Sequence, residues 1–387
     1  MKMHKANWGS NANDSNSNSD NNISNRHSFT GKDIPYAKIS KDMSIEQLIE
    51  LYASAGYNAR RLGEAARLFY RMIDDDATIC LTVAGAMTPI GYGGIIKDLI
   101  DHGFVDWIVS TGANVYHDMH FAWNLPVKQG HHDVDDDILH KKNIVRIYDV
   151  YIKEDETLQA QDRIVQEMFA RDRRDTMILT TAEISHMLGR YVKECSKSPD
   201  RSFVASAYEH DVPVYISTFK DSSLALDLIP LRLEGRTVLI DAVREIVEQA
   251  AIVYNSERNG ALEIGGGVPK NTAQQTGPAL DQILHMNHGG LDYIIQLTDA
   301  RPDSGGLSGA TLQEGKSWGK VKSSHVNVVT VYADASITFP LLCLYAIAMH
   351  EPRRHRRLYT RLGEYYRRLK EAYEMHIVRD EGIKPTD

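Results

Sequence analysis

One local unit recurs along this chain and constrains its fold more than any other feature. A short apolar, β-branched run breaks into Gly, Ser, Thr or Asp, and a helical pattern follows. Ala77–Val83 runs into Gly85, Thr88, Gly91, Gly93 and Gly94, and a helix is predicted from about Ile95 to Asp101. Val105–Ser110 runs into Thr111-Gly112-Ala113-Asn114 and a further helix. Val212–Ser217 ends in Phe219-Lys220-Asp221-Ser222-Ser223, Leu262–Ile264 in Gly265-Gly266-Gly267, Tyr293–Leu297 in Thr298-Asp299, and Val326–Tyr332 in Ala333-Asp334-Ala335-Ser336. Strand, small-residue turn and helix in alternation is the pattern of a parallel sheet covered by helices on both faces. In such sheets ligands bind at the carboxyl ends of the strands, where these loops collect. The predicted class is therefore α/β with a central, mostly parallel sheet.

The flanking segments fit this frame. Residues 8–30 are dense in Asn, Ser and Asp and offer nothing to bury, so residues 1–35 are expected to form a disordered tail. Order is expected to begin near Ile39, with Ser44 capping a helix through Tyr52 and a second amphipathic helix over 58–74. Residues 155–195 read as helical, 240–256 as another helix, and 351–378, rich in Arg and Tyr, as a partly exposed terminal helix. Thus residues 36–387 are expected to fold as a single domain.

Composition excludes several classes. The 387 residues carry 44 Lys+Arg against 52 Asp+Glu, a formal net charge of −8, which argues against sequence-independent nucleic-acid binding. The three cysteines, Cys80, Cys195 and Cys343, are scattered and offer neither a disulfide framework nor a CxxC metal site, so a reducing cytoplasm is expected. The N-terminus lacks the apolar stretch of a secretory signal, and the apolar run Ile337–Met349 is too short to cross a bilayer.

Several segments could carry chemistry. The turn AGAMTPIGYGG brings glycines to a helix start, where backbone N–H groups can meet a phosphate, yet it matches neither GxGxxG nor a P-loop. It and Gly265-Gly266-Gly267 read either as nucleotide-binding turns or as plain tight turns. Gly130-His131-His132-Asp133-Val134-Asp135-Asp136-Asp137 has ligand-type side chains but reads as a solvated acidic loop rather than a metal site. In Glu314-Gly315-Lys316-Ser317-Trp318-Gly319-Lys320, a lysine made neutral by burial or nearby positive charge would be a nucleophile. Trp318 would then be an apolar wall able to attract a cation, and Glu314 a partner for an ammonium group. Read alone, the same segment is also a surface lysine pair beside a tryptophan.

Taken together these segments resemble the deoxyhypusine synthase family. The resemblance rests on Ser308-Gly309-Ala310, Glu314, Ser317-Trp318-Gly319-Lys320, Val331-Tyr332-Ala333-Asp334-Ala335-Ser336 and Phe339-Pro340-Leu341. It extends to Ser110-Thr111-Gly112-Ala113-Asn114 with Asp118, Arg146-Ile147-Tyr148-Asp149 and Gly265-Gly266-Gly267-Val268, in order from about residue 40 to 350. It implies a Rossmann-like domain in a homotetramer, NAD as cofactor, and transfer of an aminobutyl group from a polyamine such as spermidine. An active-site lysine would hold that group as an imine before it passes to an acceptor amine. The acceptor is a translation-factor lysine in deoxyhypusine synthases and putrescine in homospermidine synthases. By position, Lys320 matches the imine-forming lysine, with Trp318 and Glu314 the amine-site tryptophan and acid. Thr111, Gly112, Ala113, Asp221, Ser223, Gly265, Gly266, Asp303, Asp334 and Ala335 match cofactor contacts, and His117, Ser308 and Asp227 fall at substrate positions.

The departures are specific. A histidine pair follows the family's glycine turn, where this chain has Asn271 and Thr272, and an amide is no base near neutral pH. Leu307 stands where the family carries an ammonium-binding aspartate. Tyr116 and His117 replace an acidic pair, and the aspartate expected after the Asp221 loop is displaced by one residue, to Asp227. Altered amine specificity is therefore expected, with a non-catalytic NAD-binding homologue as the alternative of a different class.

Overall fold

The computed structural model describes residues 31–322 and 327–380. The expected tail lies outside the described residues except for 31–35, which have no regular secondary structure. From Ala37 onward the chain forms one compact unit.

The recurrent strand units build its core. Six strands, β1 (Thr78–Val83), β2 (Trp107–Ser110), β3 (Val214–Ile216), β4 (Asn259–Ile264), β5 (Tyr293–Thr298) and β6 (Val328–Tyr332), form one sheet. Its spatial order is β3-β2-β1-β4-β5-β6, and every pairing is parallel. This is the order of dinucleotide-binding doubly wound folds, with its switch point between β1 and β4. Every residue of β1, β2, β4 and β5 is buried, which explains why these strands read as near-continuous apolar runs rather than alternating ones. Alternate residues face two separate cores. Ile79, Leu81, Val83, Ile108, Leu262 and Ile264 pack into one, with helices Tyr57–Asp74 and Gly112–Ala122. Cys80, Val109, Ala261 and Ile294 pack into the other, with Ala273 of helix Gly267–Gln274.

Local chemistry sets the helix ends. Ser44 caps Ile45–Ser54 in a reciprocal capping box with Gln47. Asp241 accepts from Arg244 N and starts the expected 240–256 helix at Ala242. Two expectations are refined. The stretch 155–195 is not continuously helical: Thr176–Leu179 forms a strand parallel to Thr237–Ile240, between helices Gln159–Arg171 and Thr181–Cys195. The β-branched Thr176 and Ile178 favour that extended geometry. A small antiparallel sheet, Val127–Gln129, Ile144–Ile147 and Val150–Lys153, also has no counterpart in the sequence reading. The acidic loop between its first two strands is held locally, with Asp135 capping helix Asp136–Lys141 and Asp136 paired to Arg146.

The terminal helix begins only at Leu358. Pro352 disfavours helix in the residue before it, and the extended segment that follows works as a strap. Arg353 donates to Gly103 O at 2.8 Å, to Ala77 O at 2.9 Å and to Asp106 Oδ2 at 3.2 Å. Asp106 Oδ2 also accepts from Ile79 N at 2.8 Å. Both charges are buried, so the strap fastens the amino ends of β1 and β2. Arg353→Met removes the buried partner of Asp106, leaves it only the half-buried Arg356 at 3.4 Å, and is expected to cost about 3 kcal/mol in urea unfolding. Adding Asp106→Asn should recover part of that loss, and strict additivity of the two substitutions would refute the pairing.

Candidate active site

At the carboxyl end of the sheet the expected cofactor loops are tied to one another. The turn after β1 is held by Asn114, whose Oδ1 accepts from Met87 N at 3.1 Å and Thr88 N at 3.2 Å while its Nδ2 donates to Gly85 O at 2.8 Å. Thr111 caps helix Gly112–Ala122 by accepting from Asn114 N. The loops after β2 and β3 meet where a Cβ on Gly112 would lie 2.3 Å from Ser222 Cβ, which brings Thr111–Ala113 beside Asp221–Ser223. Tyr92 donates to Ser336 O at 2.7 Å, joining the β1 turn to the β6 loop, where Asp334 accepts from Ser336 N at 2.7 Å.

The loops after β4 and β5 interlock as well. Gly265 and Gly267 adopt positive φ (75° and 56°), and a Cβ on Gly266 would lie 2.5 Å from Ser308 Cα. Gly267 N donates to Ser308 Oγ at 2.9 Å, and Gln296 Nε2 donates to both Gly265 O and Ser308 O at 2.9 Å. The absence of side chains on these glycines thus lets the Ser308 loop pack directly on the turn at the strand switch point, the place where sheets of this order bind ligands. Gly266→Ala would push the Ser308 loop away. It is expected to cost about 1–3 kcal/mol in urea unfolding, and an unchanged midpoint would refute the contact.

Lys320 lies under helix Gly267–Gln274, above a polar row that crosses the sheet. Thr82 of β1 pairs with Glu263 of β4, and Glu263 with Gln296 of β5, all on the same face and all buried. Gln274 Nε2 donates to Glu263 Oε1 at 2.7 Å, while Glu263 Oε2 has no partner. Lys270 Nζ, also buried, donates to Ala310 O at 2.6 Å and Gln296 Oε1 at 3.1 Å. Lys320 Nζ donates to Asn271 Oδ1 at 2.8 Å and lies 5.8 Å from the centroid of the Trp318 ring. Burial and the positive charge of Lys270 hold the Lys320 amine below the usual lysine range, against the pull of Glu263. Burial pushes Glu263 up to about 7, opposed by Lys270, Gln274 and Lys320. Trp318 is 65% exposed. Glu314 accepts from Thr311 Oγ1 at 3.1 Å in a capping box, and its carboxylate remains exposed.

His117 and Asp227 belong to a second buried network, beside the helix on the other face of the sheet. Gln161 donates through Nε2 to Tyr116 O, so its Oε1 accepts from His120 Nδ1 at 2.7 Å. His120 Nε2 is then the acceptor for His117 Nδ1 at 3.0 Å. Burial lowers His117 to about 4 and, with His117 beside it, His120 to about 3. Tyr116 donates to Asp162 Oδ1. Burial and the neighbouring Asp162 charge raise Asp227 to about 8. Asp118 is buried beside Gly93, its Oδ2 accepting from Ser202 Oγ at 2.6 Å and Val204 N at 3.3 Å and its Oδ1 unpaired.

Burial pushes Asp118 up to about 7. Between about pH 4 and about pH 7 the unfolded chain releases a proton that the folded chain keeps, so this group lowers stability as pH rises through that window. Asp118→Asn removes the effect. The variant is expected to gain on the native protein by up to ~1.4 kcal/mol per pH unit there. Urea unfolding at pH 5 and pH 8 checks this, and a pH-independent difference would refute it.

The structure thus brings Lys320 together with Trp318 and Asn271, Gly265 and Gly266 with Ser308, and Thr111–Ala113 with Asp221–Ser223. Asp303 stands apart, exposed and paired with Arg301 at 2.6 Å. Glu263, Gln274 and Gln296 were not anticipated, nor was Lys270 as part of a site. The signal was present: a Glu inside the apolar run before the glycines, and a Gln inside Tyr293–Thr298. Among the described residues no helix is long and apolar enough to cross a membrane.

The strand order and the interlocked loops define a Rossmann-like α/β protein with a partly buried lysine beside its switch point. The sequence matches the deoxyhypusine synthase family over residues 47–346. It is 38% identical to a deoxyhypusine synthase-like protein of Nostoc sp. over 89% of this chain and 91% of that one. It is 39% identical to a deoxyhypusine synthase-like protein of Thermosynechococcus vestitus, over 87% of this chain and 86% of that one. A crystal structure assigned as a deoxyhypusine synthase from Entamoeba histolytica shares the fold with a TM-score of 0.53 at 16% identity, over 81% of this chain and 96% of that one. The chain belongs to the deoxyhypusine synthase family.

Proposed function

We propose that this chain is an NAD-dependent aminobutyl transferase in which Lys320 carries the group between a spermidine-like donor and an acceptor amine. Family members are transferases that act on a polyamine. The observation that carries the reading for this chain is the environment of Lys320. Its amine is half-buried, lowered by burial and by Lys270, and faced by an indole. A neutral Nζ attacks the carbon of a donor imine, the donor's original C–N bond breaks, and its distal part leaves as a free amine. The acceptor amine then attacks the Lys320 imine, and the Lys320 C–N bond breaks to restore the free Nζ. The covalent link keeps the reactive fragment from water between the two steps.

Thr111, Gly112, Ala113, Asp221, Ser223, Gly265, Gly266, Asp303, Asp334 and Ala335 are the residues proposed to hold NAD. When bound, NAD would accept a hydride from the donor carbon and return it to the product. The glycine turn around Gly266 supports this reading by its place at the strand switch point, where dinucleotides bind in sheets of this order. Ser308 is proposed to hold the amine, with Glu314 receiving an ammonium and Trp318 covering it; His117 and Asp227, expected at substrate positions, lie in the network on the other face of the sheet and are left outside this site.

Asn271 and Leu307 favour a donor or acceptor other than those of deoxyhypusine synthase proper. An ammonium without its charged partner loses ~1.5–3 kcal/mol per hydrogen bond. A small-amine acceptor, as in homospermidine synthases, fits the reading better than a translation-factor lysine. The proposal includes residues 36–387 acting as one domain, a homotetramer and a cytoplasmic location.

Incubation with NAD and labelled spermidine, followed by borohydride, is expected to leave label on the Lys320 peptide. Lys320→Arg should abolish the label while NAD binding persists. A protein that binds NAD but traps no polyamine would sink the proposal and leave a non-catalytic homologue.

A further inference from the structure

We propose that Lys270 and Glu263 together set the charge on Lys320: Lys270 is the resident ammonium, Lys320 the neutral amine, and Glu263 the buried carboxyl that arbitrates between them. The argument begins with hydrogen-bond supply. Lys270 Nζ has two acceptors, Ala310 O and Gln296 Oε1, both in buried surroundings. Lys320 Nζ has one, Asn271 Oδ1, and it sits on the open side. An ammonium is costly to bury without acceptors; burial lowers Lys270 as well, and its two acceptors together with the charges of Glu263 and Glu314 are what oppose that loss.

Charge balance limits the cluster to one ammonium. The cluster contains one buried carboxylate, Glu263, the other, Glu314, being exposed, and in a poorly polarisable interior one carboxylate balances one ammonium. A second ammonium would leave a net positive charge beneath the helix. Glu263 is buried in the strand, with Oε1 held by Gln274 and Oε2 unpaired, so its ionisation is controlled by the neighbouring lysines rather than by water.

The charged and titratable groups around it come from every packed element among the described residues. Lys270 faces it from the helix and Lys320 from the turn after Leu312–Ser317, while Cys80 comes from the adjacent strand. Glu314 acts on Lys270. Thr82 and Gln296, its register neighbours, are uncharged. Glu263 is therefore a positioning residue that acts through charge rather than by touching the substrate.

The signs are opposite for the two partners. Removing the negative charge with Glu263→Gln makes Lys320 lose its proton more readily. Removing the positive charge with Lys270→Met makes it hold the proton more tightly. Competitive acetylation with acetic anhydride across pH, read by mass spectrometry of the Lys320 peptide, measures this on the whole protein without amine or cofactor. The midpoint is expected to fall by about one pH unit in Glu263→Gln and to rise by about one in Lys270→Met, each tenfold in reactivity at fixed pH. Unmoved midpoints in folded variants, or shifts in the same direction, would overturn the proposal.

Should neither variant fold, the native protein still decides. Its Lys320 curve is expected to be shallower than a one-proton titration, because Glu263 ionises on its lower limb. A one-proton curve at the ordinary lysine midpoint would overturn the proposal. The consequence for turnover rests on the proposed role of Lys320, but acetylation does not. A lysine with shifted reactivity that traps no polyamine would count against the transferase reading alone.

Discussion

A carboxyl group lies in the middle of a parallel sheet, and the architecture around Lys320 follows from the need to compensate it. Glu263 occupies a fully buried position of β4 where an apolar residue would cost nothing. Its presence requires Gln274 above it and lysines within electrostatic reach. Those lysines then need acceptors, which Gln296, Ala310 and Asn271 supply. Through Gln296 the requirement extends to the loops, because the same amide donates to Gly265 O and Ser308 O. One side chain thus links the charge cluster to the glycine turn, so disturbance of either should be felt in the other.

The two ends of the sheet are held differently. At the amino end a single buried arginine, Arg353, reaches across from a distant part of the chain to two backbone carbonyls and a carboxylate. At the carboxyl end, among the described residues, no ion pair plays that part. The loops are joined by glycine contacts and by neutral donors from Asn114, Tyr92 and Gln296. The glycine turn is itself closed by such ties, Gly265 N donating to Leu297 O at 2.7 Å and Gly267 N to Ser308 Oγ at 2.9 Å.

The sheet was legible because buried parallel strands write themselves as apolar runs, and their loops as small residues. Ser44 was legible because a cap acts over three residues. The small antiparallel sheet and the Thr176–Leu179 strand were not, because four-residue strands carry too few side chains to show a period and their stability comes from partners far along the chain. The site divided in the same way. Lys320 and Trp318 stand in one contiguous motif, whereas Glu263, Lys270 and Gln296 come together only through strand register and one helix. A lone Glu in an apolar run looks like a tolerated irregularity until the register places it opposite Thr82 and Gln296.

This distinction bears on how Asn271 should be read. Taken as a motif position, it is a missing base beside the nucleophile. In the structure its amide oxygen accepts the Lys320 proton donor at 2.8 Å, and an amide holds that geometry without changing charge across the working pH range. Proton control then has to come from elsewhere, and the groups placed to supply it are the buried pair, Glu263 on β4 and Lys270, the residue before Asn271. A neutral orienter next to the amine and titratable groups behind it is an internally consistent arrangement. It would fail if either half were changed alone, since a histidine at position 271 would bring a second titratable group to a lysine already set by Lys270 and Glu263.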